Sequence, residues 1–131
     1  MTLKTQEYLG IQINLNKDED LNQFSIDTLK DRYFWKEKEE EIGETYAQQA
    51  FARASIFGAT YKGITDFDLA QRLYNYASAC WFMFSTPILS NGGTSRGLPI
   101  SCFLNTVPDS RDGLSNHYRE NIWLASSGGG I

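Results

Sequence analysis

The chain has 131 residues, 41% apolar, 14% aromatic and 21% charged, a balance that suits one globular core rather than a disordered tail. With 12 basic against 16 acidic residues its net charge is −4, and no basic stripe is present for binding nucleic acid through its phosphates. The first ten residues lack the apolar run of a signal peptide, nothing approaches the ~20 apolar residues of a membrane span, and a cytoplasmic protein is expected.

Residues 1–24 are polar, and the alternation of Ile11, Ile13 and Leu15 fits either a short edge strand or a docked extended arm. Ser25 reads as the N-cap of a short helix. The run Lys36-Glu-Lys-Glu-Glu-Glu41 reads as a solvated surface segment. From Thr45 to about Ala59, Tyr46, Ala50, Ala54 and Phe57 or Gly58 recur at helical spacing, and Tyr61–Ile64 is a break. Thr65 and Asp68 stand at capping-box spacing before a second helix, with Leu69, Leu73, Ala77, Cys80 and Phe84 along one face and Ala70, Tyr74 and Trp81 widening it. Its last turns, Ala79–Phe84, are apolar all round, which implies burial within a larger assembly.

Pro87 is expected to end helical structure. The segment Asn91–Gly97 then reads as a tight loop, and Ile100–Val107 as a buried strand with Pro99 at its start. Asp109, Ser110 and Asp112 are three candidate N-caps for a final helix from about Gly113 to Ala125, which Gly128-Gly-Gly130 stops. One strand and one helix cannot bury both faces of a sheet, so the chain reads as truncated after Ile131.

The two cysteines, Cys80 and Cys102, stand outside any Cys-x-x-Cys pattern and suggest neither a disulfide scaffold nor a zinc site. Cys80 reads as a buried helix residue. Cys102 could be the same on a strand, yet it lies between a glycine-rich loop and a helix start, where α/β folds place ligands. Gly128–Gly130 is either a helix cap alone or a close approach of backbone to a ligand, and it matches neither standard nucleotide-binding glycine pattern. His117, without a second ligand-type residue one turn away, reads as a surface or interface residue rather than a metal ligand.

The run Ser85-Thr-Pro-Ile-Leu-Ser-Asn-Gly-Gly-Thr94, then Leu98-Pro-Ile-Ser-Cys-Phe-Leu104, continuing through Asp109-Ser110 to Gly128-Gly-Gly-Ile131, resembles the large (α) subunit of ribonucleotide reductases. The resemblance covers roughly residues 25–131 and is most specific from Ser85 onward. It implies an α/β fold in which this chain supplies three parts: a helical N-terminal region, the first strand of a ten-stranded α/β barrel, and an interface helix. The boundaries expected are an N-terminal arm at 1–24, the helical region at 25–84, and the start of the catalytic barrel at 85–131, with no room for an ATP-cone before residue 25.

By the same resemblance Cys102 matches the first of two redox-active cysteines that reduce the ribose 2′ position. Thr86, Ser101, Cys102 and Gly130 match substrate contacts. Asp109 and Ser110 match the start of the allosteric site for a deoxynucleoside triphosphate. Arg111 stands where the family commonly has Leu or Ile, so a third effector contact would be replaced by a residue able to meet phosphate. The helix from Gly113, with His117, Tyr118 and Ile122, would belong to a dimer interface.

The radical-bearing Cys, its Asn and Glu neighbours and the second redox Cys all lie downstream in the family, and Cys80 does not match that second thiol. The chain alone is therefore expected to be inactive, as one part of a split large subunit or as a partial sequence. Its expected partners are the remainder of the large subunit, a second large subunit, a radical-generating small subunit and a thioredoxin- or glutaredoxin-type reductant, with neither membrane nor nucleic acid. No cofactor is expected on this segment; the radical source lies elsewhere, a metal-containing small subunit being preferred to cobalamin although the sequence does not fix which. The rival reading is a non-catalytic nucleotide-binding or dimerisation module, and a third is an inert fragment.

Overall fold

The computed structural model describes residues 5–36 and 43–131. Among the described residues five α-helices carry the fold, with two small antiparallel strand pairs beside them. Strands β1 (Thr5–Tyr8) and β2 (Ile11–Asn14) form a hairpin turned by Leu9 and Gly10, both at positive φ. The alternation of Ile11 and Ile13 therefore marks a short strand at the edge of a two-stranded sheet, with its apolar side buried in the core. A 3-10 segment, Leu15–Asp20, follows.

Helix α1 (Gln23–Arg32) starts one turn earlier than Ser25 suggests. The N-cap is Asn22, whose side chain accepts from Ser25 N–H at 2.8 Å. Helix α2 (Ala47–Gly58) is the centre of the molecule: Ala47, Ala50, Phe51, Ala52 and Ala54 are all buried. Its first amides are held by Asp18 from the 3-10 segment, whose two carboxylate oxygens accept from Ala47 and Gln48 N–H at 2.8 and 3.1 Å. A carboxylate there meets both the unpaired donors and the positive end of the helix dipole. The alanines leave room for α3 (Phe67–Ser78) to lie close against α2 through Ala70, Tyr74 and Ala77.

Between them Thr60–Tyr61 (β3) and Ile64–Thr65 (β4) form a second hairpin, with Lys62 and Gly63 at positive φ in its turn. The expected break at Tyr61–Ile64 is this turn. The cap of α3 is Asp66, accepting from Leu69 N–H at 2.9 Å, and not Thr65.

The end of α3 departs from the periodicity. The helix stops at Ser78, and Cys80 takes a left-handed conformation, φ +58°. Cys80 N–H then bonds to Ala77 O at 2.9 Å and Trp81 N–H to Tyr76 O at 3.0 Å, while the Trp81 ring stacks on Tyr76. These are the hydrogen bonds and the apolar contact that close a left-handed helix end. The run Ala79–Phe84 accordingly leaves the helix, and Cys80 is exposed where a buried helix residue was expected. The burial expected of Trp81 and Met83 is within a larger assembly, and in this chain alone both are exposed.

Pro87 begins a helix instead of ending one. It lies in the first turn of α4 (Thr86–Asn91), where the missing proline N–H would have had no partner in any case. Leu89 of α4 joins the core.

The expected buried strand at Ile100–Val107 is not formed. The segment is extended, with Phe103 and Asn105 half-buried toward α5 and Cys102 and Leu104 facing out, yet its one ladder contact is a parallel bridge from Cys102 to Gly130. A strand needs a neighbour along its length, and among the described residues none lies beside this one. Leu104 is fully exposed as a result.

The final helix, α5 (Arg111–Ser126), is capped by Ser110 and ends at Gly128, φ +77°. The described part of the chain is thus mostly helical; no barrel is present in it. The solvated run from Lys36 is exposed at Lys36, and its Glu37–Glu41 portion lies outside the described residues.

Candidate functional site

Cys102 is gripped through its neighbours. Gly130 N–H donates to Ser101 O at 2.6 Å, and Phe103 N–H donates to Gly130 O at 2.9 Å, so Gly130 brackets Cys102 from both sides. Gly130 reaches this position because α5 closes with Gly128 N–H on Ala125 O at 3.0 Å and Gly129 N–H on Leu124 O at 3.1 Å. The helix end thus turns the chain back onto the extended segment. The Cys102 thiol is free and exposed, with Sγ 3.9 Å from Ser101 Oγ.

Three of the four expected substrate contacts, Ser101, Cys102 and Gly130, are therefore together. Thr86 is apart from them in hydrogen bonding: it opens α4, is exposed, and its Oγ1 lies 3.4 Å from the hydroxyl of Tyr33, the residue that follows α1. Beside it a cavity of about 260 Å³ is lined by Leu21, Phe24, Met83 and Phe84 among others, with Ser25, Thr28, Tyr33 and Thr86 also in its wall.

The expected effector residues stand consecutively at the start of α5. Ser110 spends its hydroxyl on the cap, accepting from Gly113 N–H at 2.9 Å, and its own N–H donates to Pro108 O at 2.8 Å. Asp109 and Arg111 are exposed on either side of it. Gly113 is buried against Pro108, leaving no room for a Cβ.

His117 is half-buried on the side of α5 that faces the extended segment. Asn105 donates to Asn121 Oδ1 at 2.8 Å, Asn121 in turn lies 3.0 Å from His117 Nε2, and His117 Nδ1 is buried without a hydrogen-bond partner. No group of three metal-ligating side chains occurs among the described residues, and none of their helices is long and apolar enough to cross a membrane. Cys80 lies after α3, not in it, and is exposed and unpaired like Cys102.

Sequence reasoning missed the residues that hold this site from behind. Phe103 carried a usable signal, since alternation along an extended segment sends it to the face opposite Cys102. Asn105 and Asn121 carried none; nor, away from the site, did the buried pair Arg53–Glu44 in the helical core, because one lone charge in a helix looks like any other.

A mostly helical domain feeding a backbone-bracketed cysteine is the arrangement on which the comparisons bear. The family model for the all-alpha domain of ribonucleotide reductase matches residues 19–97, more than half of the chain, and the chain belongs to that family. Its relatives are large subunits. The chain is 37% identical over 121 residues to the ribonucleoside-diphosphate reductase large subunit of Invertebrate iridescent virus 6, covering 92% of this chain and 12% of that protein. It is 31% identical over 125 residues to the α subunit of the Helicobacter pylori enzyme, covering 95% of this chain and 16% of that one. The large subunit of Vaccinia virus is 30% identical over 131 residues, again at 16% of its length. The chain thus spans less than a fifth of the length of these relatives. The match to the all-alpha domain ends at residue 97, five positions before Cys102.

Proposed function

We propose that the chain is a working part of a ribonucleotide reductase large subunit and contributes Cys102 as one of two redox thiols. The observation that carries this is the bracketing of an exposed, free Cys102 by Gly130, in a chain whose helical part belongs to the reductase family. A thiol held on a paired backbone can be kept at a fixed distance from a sugar carbon, which is where orientation contributes most to rate.

The chemistry balances with a second thiol from outside this chain. Once a radical has formed on the ribose, two thiols supply two electrons and two protons and become a disulfide. The 2′ hydroxyl leaves as water and hydrogen takes its place. Thiol exchange with a thioredoxin- or glutaredoxin-type protein restores the pair. Cys80 does not fill the second position, since its backbone is fixed in the turn after α3.

Thr86, Ser101 and Gly130 contact the substrate, a nucleoside diphosphate by analogy with the relatives' names. Asp109, Ser110 and Arg111 open the helix at which a deoxynucleoside triphosphate is sensed. In the whole subunit Ile100–Val107 becomes the first strand of a ten-stranded barrel, which gives Leu104 the neighbour it lacks here. The radical comes from a metal-containing small subunit.

Mixing the chain with the remaining part of the large subunit and with the small subunit is expected to restore nucleotide reduction that the chain alone does not show. Cys102→Ser is expected to abolish multiple turnover in that mixture. Full turnover by Cys102→Ser would end the redox reading. One observation favours a second reading, a dimerisation module without catalysis: Leu114, Tyr118 and Ile122 form an exposed apolar stripe on α5. Self-association without any restored reduction would select it.

A further inference from the structure

We propose that Phe103 is a positioning residue for Cys102, acting through Gly129. The inference rests on the redox reading of Cys102 and adds to it the device that sets the thiol's place. Along the extended segment successive side chains alternate, so Phe103 faces α5 while Cys102 faces out. The Phe103 ring lies flush on Gly129: a Cβ built there would overlap ring atoms Cδ2 and Cε2, and would also come within 3.1 Å of Leu124 O. The ring therefore occupies the space that a side chain at 129 would need.

Around Cys102 this contact adds to the two backbone hydrogen bonds that join the glycine turn to the extended segment, Gly130 N–H to Ser101 O and Phe103 N–H to Gly130 O. Two exposed backbone bonds with no ladder beyond them open easily. An aromatic ring packed on a bare backbone adds apolar burial to them and fixes their register. Because Phe103 sits next to Cys102 on the opposite face, it holds the cysteine's backbone without touching the sulfur. Gly129 is needed for its missing Cβ, whereas Gly128 is needed for its φ of +77° and has open space around its Cβ position. The two adjacent glycines thus serve different ends.

The test uses the full chain and reads two quantities, amide exchange at Gly130 and Phe103, and the ratio of iodoacetamide labelling at Cys102 to that at Cys80. Phe103→Ala and Gly129→Ala are each expected to speed exchange at the bracketing amides by about tenfold. Both are expected to move the labelling ratio toward that of the urea-unfolded chain. Phe103→Leu keeps both readouts near the parent. The double variant Gly129→Ala with Phe103→Val recovers slower exchange than Gly129→Ala alone, because the smaller side chain makes room for the added methyl. Gly128→Ala gains nothing from Val at 103.

Unchanged exchange in Phe103→Ala overturns the proposal, as does a double variant no better than Gly129→Ala. Faster exchange with an unmoved labelling ratio overturns it too, since Phe103 would then hold backbone without placing the thiol. In the reconstituted subunit Phe103→Ala is expected to lower kcat with KM little changed. If Cys102→Ser kept full turnover there, the redox reading would fall while the exchange and labelling results still decided the role of Phe103.

Discussion

A guanidinium as deeply buried as that of Arg53, 4% exposed beside a carboxylate at 0%, needs an acceptor for nearly every N–H. Arg53 Nε donates to Glu44 Oε1 at 2.7 Å and Nη2 to Oε2 at 3.1 Å; Nη1 donates to Gly92 O at 2.7 Å, and Nη2 also reaches Leu89 O at 2.9 Å. Glu44 in turn accepts from Trp35 N–H at 2.8 Å. One side chain of α2 thereby ties down the end of α4 and the segment after α1. Arg53→Met is expected to cost about 3–5 kcal/mol, since it leaves Glu44 buried and unpaired. Adding Glu44→Leu is expected to recover a large share of that loss, and urea unfolding followed by circular dichroism measures both. Equal stability of the single variant and the parent would contradict the account.

Tyr74 offers a pH test at the same scale. Its hydroxyl accepts from Asn14 N–H at 2.8 Å and donates to Gln48 Oε1 at 3.0 Å, and burial raises its pKa above the ordinary 10.0. Tyr8 is raised for the same leading reason, with the Glu44 charge adding to it. A group whose folded pKa is raised binds its proton more tightly when folded, so its contribution is complete below pH 10 and is lost as pH rises from there through the folded pKa. Stability is therefore expected to be flat with respect to these two groups near neutrality and to fall above pH 10. Tyr74→Phe should be less stable at pH 7, through the lost hydrogen bonds, and should show a shallower alkaline decline in thermal unfolding scans.

Helix ends are where elements of this chain were hardest to read. The interiors of α2 and α3 were legible because apolar residues recur every three to four positions and both helices face one core. Their ends depend on single backbone angles. Helix α5 stops at a glycine in the left-handed region, a signal visible in the sequence, whereas α3 stops by the same hydrogen bonds at Cys80, which has no such signature. Pro87 misled for a related reason, because a proline ends a helix only when it falls past the first turn. The extended run Ile100–Val107 was readable as strand-like in its alternation and not in its burial, which depends on neighbours outside this chain. A non-glycine residue in the left-handed region costs about 1 kcal/mol or more. Cys80→Gly is accordingly expected to raise stability by about 0.5–1 kcal/mol, read as a higher urea midpoint, and a destabilised variant would show that the thiol makes contacts that outweigh the strain.

At the scale of the molecule, the core and the candidate site occupy different parts. No residue beyond Leu89 joins the core cluster, so α5 is held by the extended segment at 101–108 and by the glycine turn at its end. Gly113, His117, Asn121 and Leu124 form the inward side of α5, and Leu114, Tyr118 and Ile122, each one turn further along, form an outward apolar stripe with Trp123 at its edge. Tyr118 is 68% exposed and Ile122 70%, which leaves more apolar surface on one helix than an isolated domain usually keeps. The expected cover is the same helix of a second copy, because two such stripes related by a two-fold axis bury one another. The chain is therefore expected to self-associate with rising concentration in sedimentation velocity. Tyr118→Glu combined with Ile122→Glu should keep it monomeric over the same range. Its thermal unfolding should hardly change, since neither side chain touches the core. If parent and variant sediment alike, the stripe of α5 covers some other surface; if the variant also loses its helical signal or its melting transition, α5 is tied to the core more closely than its contacts indicate.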